Sequence, residues 1–151
     1  MPPLPLAPKK AIWVLLVASL FGFADAAYLA AKFFLGETPK CFLVSGCDVV
    51  TTSAYATIAR VPIALLGAIF YLSIFILSVA YLDRRAHRVI TILFIFSVPA
   101  FLFTLYLVYL QLFVLNAICI YCMFSALTTT TIFITSLYLL RASSRVSNTT
   151  L

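Results

Sequence analysis

The sequence predicts an all-α membrane protein with four transmembrane helices, and three observations predict it. Hydrophobic residues make up 65% of the chain, against a usual ~45–50%. Charged residues make up 9%, against a usual ~25%, too few to cover a soluble fold of this size. The basic residues fall in short clusters between long apolar runs, the pattern by which a polytopic membrane protein sets its orientation. At 151 residues the chain has the length of one domain. Its net charge of +6 is therefore no sign of nucleic acid binding. Disorder, collagen and a secreted disulfide scaffold are excluded too, the last because four Cys in 151 residues is a low density.

Residues 1–10 carry Pro2, Pro3, Pro5 and Pro8 and read as an extended cytoplasmic lead. The first span is 11–35, uncharged as far as Ala24 and then carrying Asp25 and Lys32. Lys9-Lys10, 14 apolar residues and Ala24-Asp25-Ala26 also resemble a cleavable signal peptide. Apolar character continues through Tyr28, Leu29, Phe33 and Phe34, which favours a retained span. After an outer loop, 36–60, the uncharged run of 22 residues from Val61 to Leu82 is a complete span, 61–82, opened by Pro62 in the first helical turn. From Val89 to Leu140 there are 52 residues without Asp, Glu, Lys, Arg or His, enough for two spans at ~20 residues each. Asn116 breaks that run, as a helix cap, into 89–114 and 116–140. Pro99 is expected to kink the third span, and Gly67 with Ala64 and Ala68 to allow close helix approach. Residues 141–151 form a polar cytoplasmic tail without periodicity.

Lys9, Lys10, Arg84, Arg85, Arg88, Arg141 and Arg145 fall on one side of such a protein, and Lys32, Lys40 and Arg60 on or near the other. Seven against three puts both termini in the cytoplasm of a multi-pass cell-membrane protein. The 36–60 loop and the turn at Asn116 then face the extracytoplasmic side. His87 falls in the cytoplasmic Arg84–Arg88 cluster and reads as a solvated loop residue.

All four cysteines belong to that outer, oxidising side: Cys41 and Cys47 in the loop, Cys119 and Cys122 at the head of the fourth span. Three apart on a helix, Cys119 and Cys122 share a face and can close a disulfide. The helix N-terminus lowers a thiol pKa from its free value of ~8.5, Cys119 more than Cys122. Cys122 lies ~4.5 Å deeper, so Cys119 is reachable from the aqueous loop and Cys122 from the lipid. Gly46 gives the Cys41–Cys47 segment freedom to visit two partners. A mobile outer pair above a fixed inner pair is a workable two-electron relay. Electrons would run from thiols of a secreted protein, through the outer pair, to Cys119–Cys122 and a membrane carrier. Three other readings stand beside it: a Cys41–Cys47 bridge that only staples the loop, an inert Cys119–Cys122 pair, and a four-thiolate zinc site. Zinc favours paired short spacings, which only one pair here has, so no metal is expected.

Cys41-x5-Cys47, Ser53-Ala54-Tyr55-Ala56, Val61-Pro62, Gly67 and Cys119-Ile120-Tyr121-Cys122 together resemble the prokaryotic branch of the vitamin K epoxide reductase family, over roughly residues 11–140. The resemblance implies a four-helix bundle around a quinone, capped by an outer loop with a short half-helix. It implies that Cys41 exchanges with a thioredoxin-fold, DsbA-like partner, Cys47 passes electrons to Cys119, and Cys122 reacts with a ubiquinone or menaquinone. Ser53 matches a family serine associated with the loop pair and the quinone pocket; a helix N-cap is its other reading.

Two positions depart from the animal enzymes. A tyrosine four residues after the second motif cysteine is replaced by Ala126, and an asparagine four residues before the second-span glycine by Ile63. Both favour plain quinone reduction over epoxide reduction. The thioredoxin-like domain fused to many bacterial relatives is not expected here, so the partner would be a separate polypeptide. Asp25, an acidic residue inside a span, is a candidate for the quinone site by its cost there, or for interfacial pairing with Lys32. The reading is a quinone-linked, disulfide-forming oxidoreductase embedded in membrane lipid. Its alternatives are a thiol carrier working reductively and a non-enzymatic tetraspan assembly or transport protein.

Overall fold

The structure is a computed structural model that describes residues 9–41, 46–84 and 86–149. The proline-rich lead before Lys9, the 42–45 stretch and Arg85 lie outside the described residues, as do the last two positions. Four helices, all long and apolar enough to cross a membrane, carry the fold. They are α1 (Lys9–Leu35), α3 (Ile63–Arg84), α4 (His87–Tyr109) and α5 (Ile120–Thr149). Between α1 and α3 lie a short helix α2 (Cys47–Thr52), a 3-10 turn (Ala54–Ala56) and a small hairpin of β1 (Thr57–Ile58) and β2 (Val61–Pro62). Helix α2 is the half-helix of the capping segment. In the hairpin Thr57 pairs with Pro62 and Ile58 with Val61, and Ala59 and Arg60 make the turn at positive φ.

Helix α1 packs mainly on α3 and α5, and α4 mainly on α5. Lipid gives helices no hydrophobic reason to associate, so small residues carry the close contacts. A Cβ on Gly67 of α3 would stand 3.6 Å from the Cβ of Ala26 on α1, and Ala68 is buried beside it. The expectation of close approach at Gly67 holds. Buried Ser19, Ser78 and Ser136 return their hydroxyls to carbonyls of their own helices, which satisfies them without a neighbour. Trp13, Phe21, Leu102 and Leu127 stay exposed on the outer faces, apolar surface suited to lipid.

Several boundaries differ from the sequence reading. Lys9 and Lys10 already belong to α1, and α5 continues to Thr149, past the expected end at residue 140. Arg141-Ala142-Ser143-Ser144 holds no Gly or Pro to stop a helix once formed. Pro62 pairs in β2 and the helix starts one residue later, at Ile63. The third span does not end as a plain α-helix: Leu110–Val114 winds as a π-turn, with the Leu115 N–H donating to the Leu110 carbonyl at 2.8 Å. Asn116 does break the run, but by closing the helix before it. Its φ of +48° is the left-handed conformation that asparagine tolerates past a helix C-terminus, and α5 begins only at Ile120.

Candidate active site

The capping segment sits on the connection between the π-turn and α5. Cys41 and Cys47 are bridged, with Cα atoms 6.0 Å apart. A Cβ on Gly46 would lie 2.8 Å from the Ile118 carbonyl oxygen and 2.9 Å from its nitrogen. The glycine is therefore needed for close backbone approach, a different reason from the freedom of movement inferred from sequence. On the other side of Cys41, the Tyr121 hydroxyl donates to the Lys40 carbonyl at 3.3 Å, and Tyr121 packs on Tyr28 with ring centroids 5.3 Å apart. Both flanks of the bridge are thus held to the start of α5.

Beneath it, Cys47, Val50 and Cys119 form one buried cluster, joined by partly buried Cys41 and Cys122. Cys119 is fully buried, and Cys47 of the loop lies in the same cluster. Cys119 is the N-cap of α5: its carbonyl accepts the Met123 N–H at 3.0 Å. Its own N–H donates to Oε1 of Gln111 at 3.1 Å. Cys119 and Cys122 are free thiols. The thiol of Cys122 and the N–H groups of Cys122 and Tyr121 hold Cys119 below the ordinary thiol value, at about 7, against the opposing effect of burial. That is the N-cap arrangement, with sulfur in the place of the usual side-chain oxygen.

Below the cysteines a cavity of about 320 Å³ opens between the helices. Cys122 lines it, as do Asp25, Ser53 and Gln111. Ser53 ends α2 and precedes the 3-10 turn, yet it makes no side-chain cap; its hydroxyl donates to the Val50 carbonyl at 2.8 Å. Asp25 does not pair with Lys32, which instead bonds Glu37 and draws that carboxyl below its ordinary range. Oδ2 of Asp25 is buried without a hydrogen-bond partner among the described residues. Ile63 and Ala126, the two departures, are also wall residues, so both make the cavity less polar than the animal pattern would.

Two further polar residues belong to this region, Gln111 and Tyr71. Gln111 is the one glutamine of the chain, inside a span where a buried amide is costly, and that alone was a signal. Tyr71 is buried, and its hydroxyl lies 2.8 Å from the Ser125 carbonyl and from the hydroxyls of Ser125, Thr128 and Thr129. Nothing in its local sequence separates it from the other tyrosines.

The sequence profile of the vitamin K epoxide reductase family matches residues 13–137, a stretch that includes all four cysteines and every helix described above but the ends. The chain belongs to this family. No curated protein sequence matches it. Membership makes it a multi-pass membrane oxidoreductase of a quinone-linked family that generally works with thioredoxin-like partners. The cavity suits a quinone: it is apolar in most of its wall, of ligand size, and has a thiol and an unpartnered carboxylate oxygen among its lining groups.

Proposed function

We propose that this vitamin K epoxide reductase family member makes disulfides for the extracytoplasmic compartment, taking electrons from a thioredoxin-fold partner of the DsbA-like kind through Cys41–Cys47 to Cys119 and Cys122. The observation that carries the proposal is the burial of Cys119 between the bridged loop pair on one side and the cavity-lining Cys122 on the other. Both termini are cytoplasmic in this reading, from the seven-to-three distribution of basic residues.

A partner thiolate attacks Cys41, the less buried sulfur of the bridge. Cys47 is released as a thiolate and attacks Cys119 in its disulfide with Cys122, expelling Cys122. The partner's second thiol resolves the mixed disulfide with Cys41, so the partner leaves oxidised and Cys41 is freed. Cys41 then attacks Cys47 and expels Cys119, a good leaving group because its thiolate is stabilised at the helix cap. The outer pair is bridged again and the inner pair is reduced. A ubiquinone or menaquinone held by Cys122, Ser53 and Asp25 would supply a two-electron, two-proton acceptor. Closing Cys119–Cys122 again releases those electrons and protons, and among the described residues Asp25 is the one carboxylate lining the cavity that could hold a proton.

The test is anaerobic absorbance of ubiquinone and menaquinone analogues mixed with the protein and a reduced thioredoxin-fold substrate. Loss of the oxidised-quinone band with the native chain, and not with Cys122→Ser, is expected. No loss with either analogue in folded protein would overturn the proposal in favour of a reductive carrier or a stapled tetraspan.

A further inference from the structure

Gln111 stands at 3% exposure in the π-turn that ends the third span. The wider turn is where the chain admits an extra residue, and such turns recur at functional sites. Both carbonyls of Gln111 serve the connection that follows. The backbone oxygen accepts the Ala117 N–H at 3.1 Å, and the side-chain Oε1 accepts the Cys119 N–H at 3.1 Å. A backbone N–H can only donate, so the amide is oriented with its oxygen on Cys119.

We propose that Gln111 is a positioning residue for Cys119, holding it outside α5 as the N-cap so that its sulfur stays between Cys47 and Cys122. The inference rests on the reading of Cys119 as the thiol that exchanges with both. Without the Gln111 oxygen a buried N–H is left unpaired, and the connection must rearrange to satisfy it. Cys119 then leaves the cap geometry and loses N–H groups that favour its thiolate. The titratable groups facing Cys119 are Asp25 from α1, Cys47 from α2 and Tyr121 and Cys122 from α5; the π-turn presents the neutral amide.

The experiment follows iodoacetamide labelling of the reduced full-length protein across pH, with peptide mass spectrometry reading Cys119 apart from the other cysteines. Gln111→Leu is expected to move the midpoint for Cys119 up by about one pH unit, which makes labelling about fivefold slower at pH 7. Gln111→Asn, polar but one methylene short, should do the same and carries the test if the Leu variant does not fold. An unchanged midpoint in a folded variant overturns the proposal and leaves Gln111 a packing residue. Loss of folding in both variants overturns it as well. The readout uses neither quinone nor partner, so failure of quinone reduction by the native chain would leave it intact and is a separate result.

Discussion

Gly22 of α1 faces the ring of Tyr71 on α3 so closely that a Cβ at position 22 would lie 2.3 Å from a ring carbon. The ring cannot easily move aside, because its hydroxyl is engaged on α5 by Ser125, Thr128 and Thr129. One tyrosine therefore ties three helices together, and the glycine makes room for it. Gly22→Ala is expected to destabilise the bundle by about 1–3 kcal/mol, the usual range for overpacking. Unfolding in mixed detergent would measure it, and an unchanged midpoint would show that the ring has room to turn.

Tyr71→Phe should cost less, about 1 kcal/mol, the net worth of a typical hydrogen bond. The Thr128 hydroxyl keeps the Ser125 carbonyl as an acceptor at 2.9 Å, so the deletion does not orphan it. The same unfolding assay should rank Gly22→Ala as the more damaging change. The reverse order would mean that the hydroxyl cluster, and not the close contact, secures α3 to α5.

Span number and family were legible in the sequence because each has a strong local signal. Apolar run length gives the spans, and the spacing of the four cysteines on that frame gives the family and, with it, the relay proposed for it. Local geometry was less legible. Asn116 marks the right break but closes the helix before it, since a left-handed residue and an N-cap both favour asparagine. Gly46 was noticed for its backbone freedom, whereas its missing side chain is what lets it lie on Ile118, 72 positions away. Gln111 needed the π-turn to aim it at Cys119, and a one-residue change of winding leaves no mark in an apolar run.

Cysteine substitutions should separate the steps of the relay. Cys119→Ser and Cys122→Ser are each expected to abolish turnover. Combining Cys41→Ser with Cys122→Ser removes both thiols able to resolve a Cys47–Cys119 bridge. On oxidation that double variant should accumulate the bridge, read as a linked peptide pair by mass spectrometry under non-reducing conditions. A linked pair that never forms would mean that Cys47 and Cys119, buried in one cluster, do not exchange.

The thiolate of Cys119 is the reacting form, and its pKa is lowered to about 7 by the Cys122 thiol and the N–H groups at the head of α5. Labelling of Cys119 should therefore rise about tenfold per pH unit below 7 and level off above it, where the thiolate already dominates. An ordinary thiol would keep gaining to ~8.5. A profile still rising steeply at pH 8 would remove the cap's influence on Cys119.

Gly46→Ala tests whether the capping segment must lie directly on the Ile118 backbone. The new methyl would meet the Ile118 oxygen at 2.8 Å and nitrogen at 2.9 Å, backbone atoms that cannot swing away like a side-chain tip. The segment must lift, and Cys47 with it, since Gly46 immediately precedes that cysteine and caps α2 through the Val50 N–H at 3.1 Å. Thiol exchange falls steeply when sulfurs lose contact, so transfer between the pairs is expected to slow by about tenfold or more. Reduction of Cys41–Cys47 by a small external thiol should persist, because it needs only access to the bridge. Single-turnover transfer from the reduced outer pair would read the first rate and bridge reduction the second. Equal slowing of both would point to general loosening of the loop, and no slowing of either would show that the relay tolerates a lifted cap.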